Sequence, residues 1–177
     1  GTLVVHDGTA VAAAILAPAT VRRIVGAVRA AAAHDLGLVV CGRRSAYVER
    51  RDAAFVREAR RYYAELRIVD DLTAVEDEVL KLATYDFVDA EVSAREVIDP
   101  VSDGHQVVVS GRHWVDTMAR GVDKGTALRA LQRTLGVTPA QTAVFGDYLN
   151  DIEMLDAGAL SFAVANAHPE VRARARY

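Results

Sequence analysis

A single cysteine, Cys41, stands in the 177 residues, so no internal disulfide can form. A chain without a disulfide framework suits a reducing compartment, and the expected location is cytoplasmic. Long apolar runs are also missing. The longest, "AVAAAILAPA" over residues 10–19, is Ala-rich and closes at Pro18, so no membrane span is expected. No basic segment precedes an apolar one near the first residues, and no secretory signal is expected. A large excess of one charge sign is missing as well: 21 Lys and Arg against 24 Asp and Glu leave a net charge of −3, which gives no global pull toward nucleic acid or anionic lipid. What remains is a globular composition, 51% hydrophobic and 25% charged, sufficient for one good core or two small ones.

The charges are unevenly placed. Residues 43–67 hold eight arginines, and Asp70, Asp71, Glu76, Asp77 and Glu78 follow closely. A phosphate or nucleic-acid patch is one reading. The favoured reading is a solvated helix face balanced by the acids, because Phe55, Val56, Ala59 and Tyr63 form an apolar stripe at helical spacing. No nucleic-acid partner is expected.

The order of elements separates two textures. Residues 2–15 read as two strands around the Asp7-Gly8 turn. Helices are expected over 19–33, 52–64 and 88–97, and strands at "LGLVVCG", "SAYVE" and "LKLATYD". "QVVVSG" and "HWVDTM" read as an antiparallel pair. This part predicts an α+β unit with an antiparallel sheet. From Gly121 the pattern changes to a helix over 124–135 closed by Gly136, the strand "TAVFGD", a helix over 151–157, the strand "LSFAVA" and a helix over 169–176. Such alternation predicts a parallel, Rossmann-like sheet.

The segment "VFGDYLNDIEML" carries the strongest chemical signal. An apolar strand delivers Gly146 and Asp147 to its C-terminal end, where parallel sheets bind ligands. Asp147, Asn150 and Asp151 then crowd one turn. A helix cap accounts for one of them but not for two carboxylates and an amide. Converging carboxylates call for a cation, and hard oxygen donors suit Mg²⁺. Lys124 opens the preceding helix between Gly121 and Gly125. There it can neutralise a phosphoryl oxygen or keep a nucleophilic carboxylate ionised.

With those residues in place, the stretch from "GVDKGTAL" through "VFGDYLNDIEML" to "VANAHPEV" resembles the C-terminal core of Cof-type phosphatases, subfamily IIB of the haloacid dehalogenase-like superfamily. The resemblance implies an α/β fold: part of a Rossmann-like core plus an α+β, C2-type cap with an antiparallel sheet. Residues 1–9 would connect core to cap, 10–118 would form the cap, and 119–177 the C-terminal part of the core. It also implies roles. Lys124 matches the motif III lysine, Asp147 and Asp151 match the motif IV acids around Mg²⁺, and Asn150 stands beside them as a catalytic residue. Arg43, Arg44, His113 and Asn166 are weaker candidates for substrate contact, with Trp114 beside His113. The implied substrates are small phosphorylated metabolites such as sugar phosphates, hydrolysed through an aspartyl-phosphate. No membrane partner is implied, and the oligomeric state is left open.

The family's Asp-x-Asp-Gly-Thr nucleophile loop is absent. Its nearest echo is Val5-His6-Asp7-Gly8-Thr9, where Val5 can neither attack phosphorus nor bind metal. One reading makes this a degenerate motif I, with Cys41 in motif II, and the protein a pseudoenzyme or metabolite-binding module. The other makes Gly1 the glycine leading from core into cap, and "TLVVHDGTAVAAAIL" the hairpin that follows. The second reading is the expectation. It places motifs I and II before Gly1 and the family's last strand and helix after Tyr177, so that the chain is a fragment inactive by itself.

Overall fold

The computed structural model describes residues 1–177, which divide into two compact units: residues 1–14 with 121–177, and residues 15–120.

In the first unit, β1 (Leu3–His6) and β2 (Thr9–Ala13) form an antiparallel hairpin. Asp7 and Gly8 take φ of 47° and 74°, the left-handed pair that a two-residue hairpin turn requires. The ladder holds β2 to β1, so no boundary falls between residues 9 and 10; the hairpin stays whole through Ala14. After Gly121 come α4 (Lys124–Leu135), β9 (Ala143–Gly146), α5 (Ile152–Leu155), β10 (Leu160–Ala163) and α6 (Pro169–Arg174). Asp123 caps α4 by accepting from the Thr126 amide at 2.6 Å, and Gly136 ends it at φ 66°. β9 and β10 pair in parallel, as expected. Val144, Leu155, Ala167 and Val171 form the core beneath them. Buried Gln132 donates to Thr142 Oγ1 and the Ala157 carbonyl, tying α4 to the loops at the start of β9 and the end of α5.

The second unit begins with α1 (Pro18–Ala30), whose proline occupies the first turn, where a missing N–H is harmless. A six-stranded sheet follows in the order β5-β4-β3-β6-β8-β7. Its strands are β3 (Leu36–Gly42), β4 (Ala46–Val48), β5 (Leu66–Ile68), β6 (Val79–Asp86), β7 (Gln106–Gly111) and β8 (Trp114–Met118). α1 and the helical run from α3 (Ala90–Ser93) to Ile98 cover one face over Leu38, Val40, Leu82 and Val115. α2 (Ala53–Arg60) covers part of the other, with Phe55 and Ala59 packed on Val39 and Ala83.

Several expectations change. The sheet is mixed, because β4 and β5 run parallel across the α2 crossover. β5 was not expected: its three residues sit in an arginine-rich stretch and leave Arg67 and Ile68 exposed, so no apolar alternation marks it. The helix expected over 52–64 ends at Arg60, and that over 19–33 ends at Ala30. The helix over 88–97 starts at Ala90 and widens to a π-helical turn over Ala94–Ile98 before Pro100, which has no N–H to continue it.

Candidate active site

β9 ends at Gly146, where a Cβ would lie 2.8 Å from the Asp151 Cβ; only glycine lets the following loop turn back so closely. The turn continues through a short 3₁₀ segment, Leu149–Asp151, into α5. Asp151 is 3% exposed, and both its oxygens are engaged. Oδ1 accepts from Lys124 Nζ at 2.5 Å, and Oδ2 from the amides of Asp147 at 2.9 Å and Tyr148 at 3.3 Å. Burial pushes the Asp151 carboxyl up. The lysine and the two amides outweigh that and hold it below the ordinary carboxylate range.

Lys124 reaches this carboxylate because α4 and α5 lie unusually close. A Cβ on Gly125 would sit 2.1 Å from the Glu153 carbonyl oxygen. A cation at a helix N-terminus opposes the helix dipole, and Asp151 offsets that repulsion. The lysine side chain is 43% exposed, so its ammonium keeps an open side.

Asp147 faces solvent, and its carboxylate has no hydrogen-bond partner in the protein. Its carbonyl accepts from the His168 amide at 2.8 Å, which draws the β10–α6 loop against the same edge. Asn166 lies exposed on that loop, and Asn150 is exposed in the 3₁₀ turn. Lys124, Asp147, Asn150, Asp151 and Asn166 therefore belong to one unit, around the C-terminal ends of β9 and β10. Tyr148 and His168, which no sequence pattern marks as a pair, meet there with rings edge to face at 5.7 Å. A histidine directly before Pro169, at the cap of α6, was the available signal.

No three His, Cys, Asp or Glu side chains cluster as a metal cage. The donors are nevertheless all oxygen: the open Asp147 carboxylate, the Asn150 amide and the engaged Asp151. That chemistry fits Mg²⁺, which keeps several waters and takes few protein ligands.

Arg43, Arg44 and His113 belong to the second unit. The arginines are engaged with acids: Arg43 meets Glu78 at 2.8 Å, and Arg44 lies 3.5 Å from Asp77. Within the wider arginine run, Arg50 pairs with Asp35 and Asp52, Arg51 with Asp70, and Arg61 with Glu58. His113 Nδ1 lies 2.8 Å from the Asp86 carbonyl, and the residue lines a cavity together with Trp114. Cys41 is half-buried, with its Sγ 3.4 Å from the Tyr63 hydroxyl, and desolvation pushes its thiol pKa up. No helix is long and apolar enough to cross a membrane.

Comparison with known proteins agrees with this geometry. The chain is 34% identical over 146 residues to 5-amino-6-(5-phospho-D-ribitylamino)uracil phosphatase YbjI of Escherichia coli (strain K12), covering 81% of this chain. It spans 54% of that relative, about half its length. A crystal structure from Eubacterium rectale superposes with a TM-score of 0.90 at 28% identity, covering all of this chain and 68% of that one. The fold is shared with the subclass IIB sugar phosphatase BT4131, at a TM-score of 0.76 and 18% identity over all of this chain and 66% of that one. A family model for haloacid dehalogenase-like hydrolases matches residues 1–177, and the chain belongs to that family.

Proposed function

We propose that these residues are the metal- and phosphate-binding half of a Mg²⁺-dependent phosphatase acting on small phosphorylated metabolites in the cytoplasm. The pairing of half-exposed Lys124 with buried Asp151, beside the open Asp147 carboxylate, carries this reading. Asp151 is a positioning residue that aims the Lys124 ammonium and closes the loop on itself. Lys124 then meets a phosphoryl oxygen with its exposed side, offsetting charge where it accumulates in the transition state. Asn150 and Asn166 offer amide donors to the remaining oxygens. Asp147, with Asp151 behind it, would hold Mg²⁺, which neutralises charge on the phosphate and its attacking carboxylate. Substrate names attached to relatives, among them a phosphoribitylamino-uracil and HMP-PP, agree with a small phosphate ester.

The aspartyl-phosphate route needs a nucleophilic aspartate. Asp7 lies in a hairpin turn with Val5 on the strand before it, and we assign the nucleophile to a strand of the intact protein outside residues 1–177. Two observations support this. β9 pairs only with β10 and keeps its other edge open. On the same sheet Phe145 and Phe162 stack at 4.9 Å, and Tyr177 stacks on Phe162 at 5.0 Å; with Phe145 63% exposed, this is an apolar surface suited to cover by further core. Residues 15–120 would then be the cap.

The test is hydrolysis of a generic aryl phosphate by the intact protein with Mg²⁺. Activity should be abolished by Asp147→Ala and reduced about 10²–10³-fold by Lys124→Ala. Full activity in Asp147→Ala would overturn the metal assignment. Binding of Mg²⁺ and phosphate without hydrolysis would favour the metabolite-binding module instead.

A further inference from the structure

α2 covers only part of its face of the six-stranded sheet. The same side carries Lys81, Tyr85, Trp114 and Asp116, as the registers Ala83↔Asp116 and Tyr85↔Trp114 require, with Tyr85 itself buried against Phe55. A cavity of about 430 Å³ opens there, within the range of small-molecule sites. Five rings line it: Tyr62, Tyr63, Tyr85, His113 and Trp114. The indole is the hub. Tyr62, Tyr63 and Tyr85 approach it at 5.5, 6.4 and 4.8 Å, all steeply tilted.

The polar groups of the wall argue against an anion. Lys81 is already matched by Asp116 at 3.0 Å, and Glu58 adds a second carboxylate, itself paired with Arg61. The remaining cation, Arg112, stands at the exposed rim. Lys81 and Asp116 thus present a donor and an acceptor side by side, in a setting of low net charge. Stacked and edge-on rings favour another π-system over a saturated one.

We propose that this cavity binds an uncharged, flat heteroaromatic ring whose edge carries both hydrogen-bond donors and acceptors. The ring packs against Trp114 and Tyr62, and its edge is read by the Lys81–Asp116 pair. Binding stands apart from the phosphatase reading. Only its use, selecting phosphorylated substrates that carry such a ring, rests on that reading.

Trp114 is the sole tryptophan, so its emission reports on this cavity alone. The full chain is titrated with uridine, adenosine and ribose, without phosphate or metal. At least one nucleoside should quench Trp114 saturably with a Kd below about 1 mM, while ribose should not. Tyr62→Ala and Asp116→Asn should each weaken nucleoside binding about tenfold or more. Tyr62 is 61% exposed, so its variant keeps the fold and decides alone should Asp116→Asn unfold. The proposal is overturned by an absence of saturable quenching with both nucleosides, by ribose quenching as strongly, or by a folded variant that binds like the parent. Aryl phosphate hydrolysis is read separately, so failure of ring binding leaves the phosphatase reading standing, and the reverse also holds.

Discussion

Lys124 Nζ and Asp151 Oδ1 meet at 2.5 Å across 27 residues of sequence, joining the first turn of α4 to the loop after β9. Removing the lysine leaves a buried carboxylate with two amides and no counter-charge. Lys124→Met should therefore destabilise the chain by about 1–3 kcal/mol. Asp151→Asn in the same background should recover part of that loss, because the uncompensated charge is gone. Urea unfolding of the two single variants and the double variant measures the coupling; simple additivity would contradict it.

Acid stability follows from two carboxylates. Burial pushes both Asp151 and Asp77 up. Their hydrogen bonds win: Lys124 and two amides on Asp151, and the Arg44 amide, the Tyr47 hydroxyl and the Glu78 amide on Asp77. Both titrate below their unfolded value of about 4, so their contribution is present above that pH and is lost as pH falls through the folded values. The thermal midpoint should be level near neutrality and drop below about pH 4, less steeply in Asp77→Asn and Asp151→Asn. A midpoint that rises on acidification would be incompatible with both assignments.

Gly125 has no room for a methyl group, since the obstacle is the Glu153 backbone rather than a movable side chain. Gly125→Ala should cost about 1–3 kcal/mol by forcing α4 and α5 apart. In the intact protein it should also lower phosphatase activity by displacing Lys124. Gly26→Ala, where a Cβ meets nothing within 4 Å, is the control and should stabilise slightly or do nothing.

Phe55 is fully buried and packs α2 onto the sheet, seated over Gly37, where a Cβ would strike its ring at 2.1 Å. Phe55→Ala should cost about 3–5 kcal/mol in chemical unfolding. Asp52→Ala, which removes the cap bond to the Phe55 amide, should cost about 1 kcal/mol. Equal losses from the two would mean that α2 is held by its cap rather than by its buried ring.

Much of the fold was legible because its signals are local. The Asp7-Gly8 turn, the helix from Lys124 to Gly136 and the strand ending at Gly146 each announce themselves within a few residues. β5 did not, because a three-residue strand with two exposed positions has no periodicity to read. The π-helical turn at Ala94–Ile98 is also silent in sequence, since helical spacing looks the same until the packing widens it.

The site divides in the same way. Residue type and spacing alone placed Asp147, Asn150 and Asp151 on one loop and Lys124 at a helix start, and so determined an oxygen-rich, phosphate-compatible edge. Only the tertiary structure decided which acid is buried and which is open, that Arg43 and Arg44 are neutralised by Glu78 and Asp77, and that Trp114 joins three tyrosines around a cavity. Those outcomes depend on pairings between residues tens of positions apart. A sequence pattern reports the face a residue takes on its own element, whereas burial and charge compensation are set by the element packed against it.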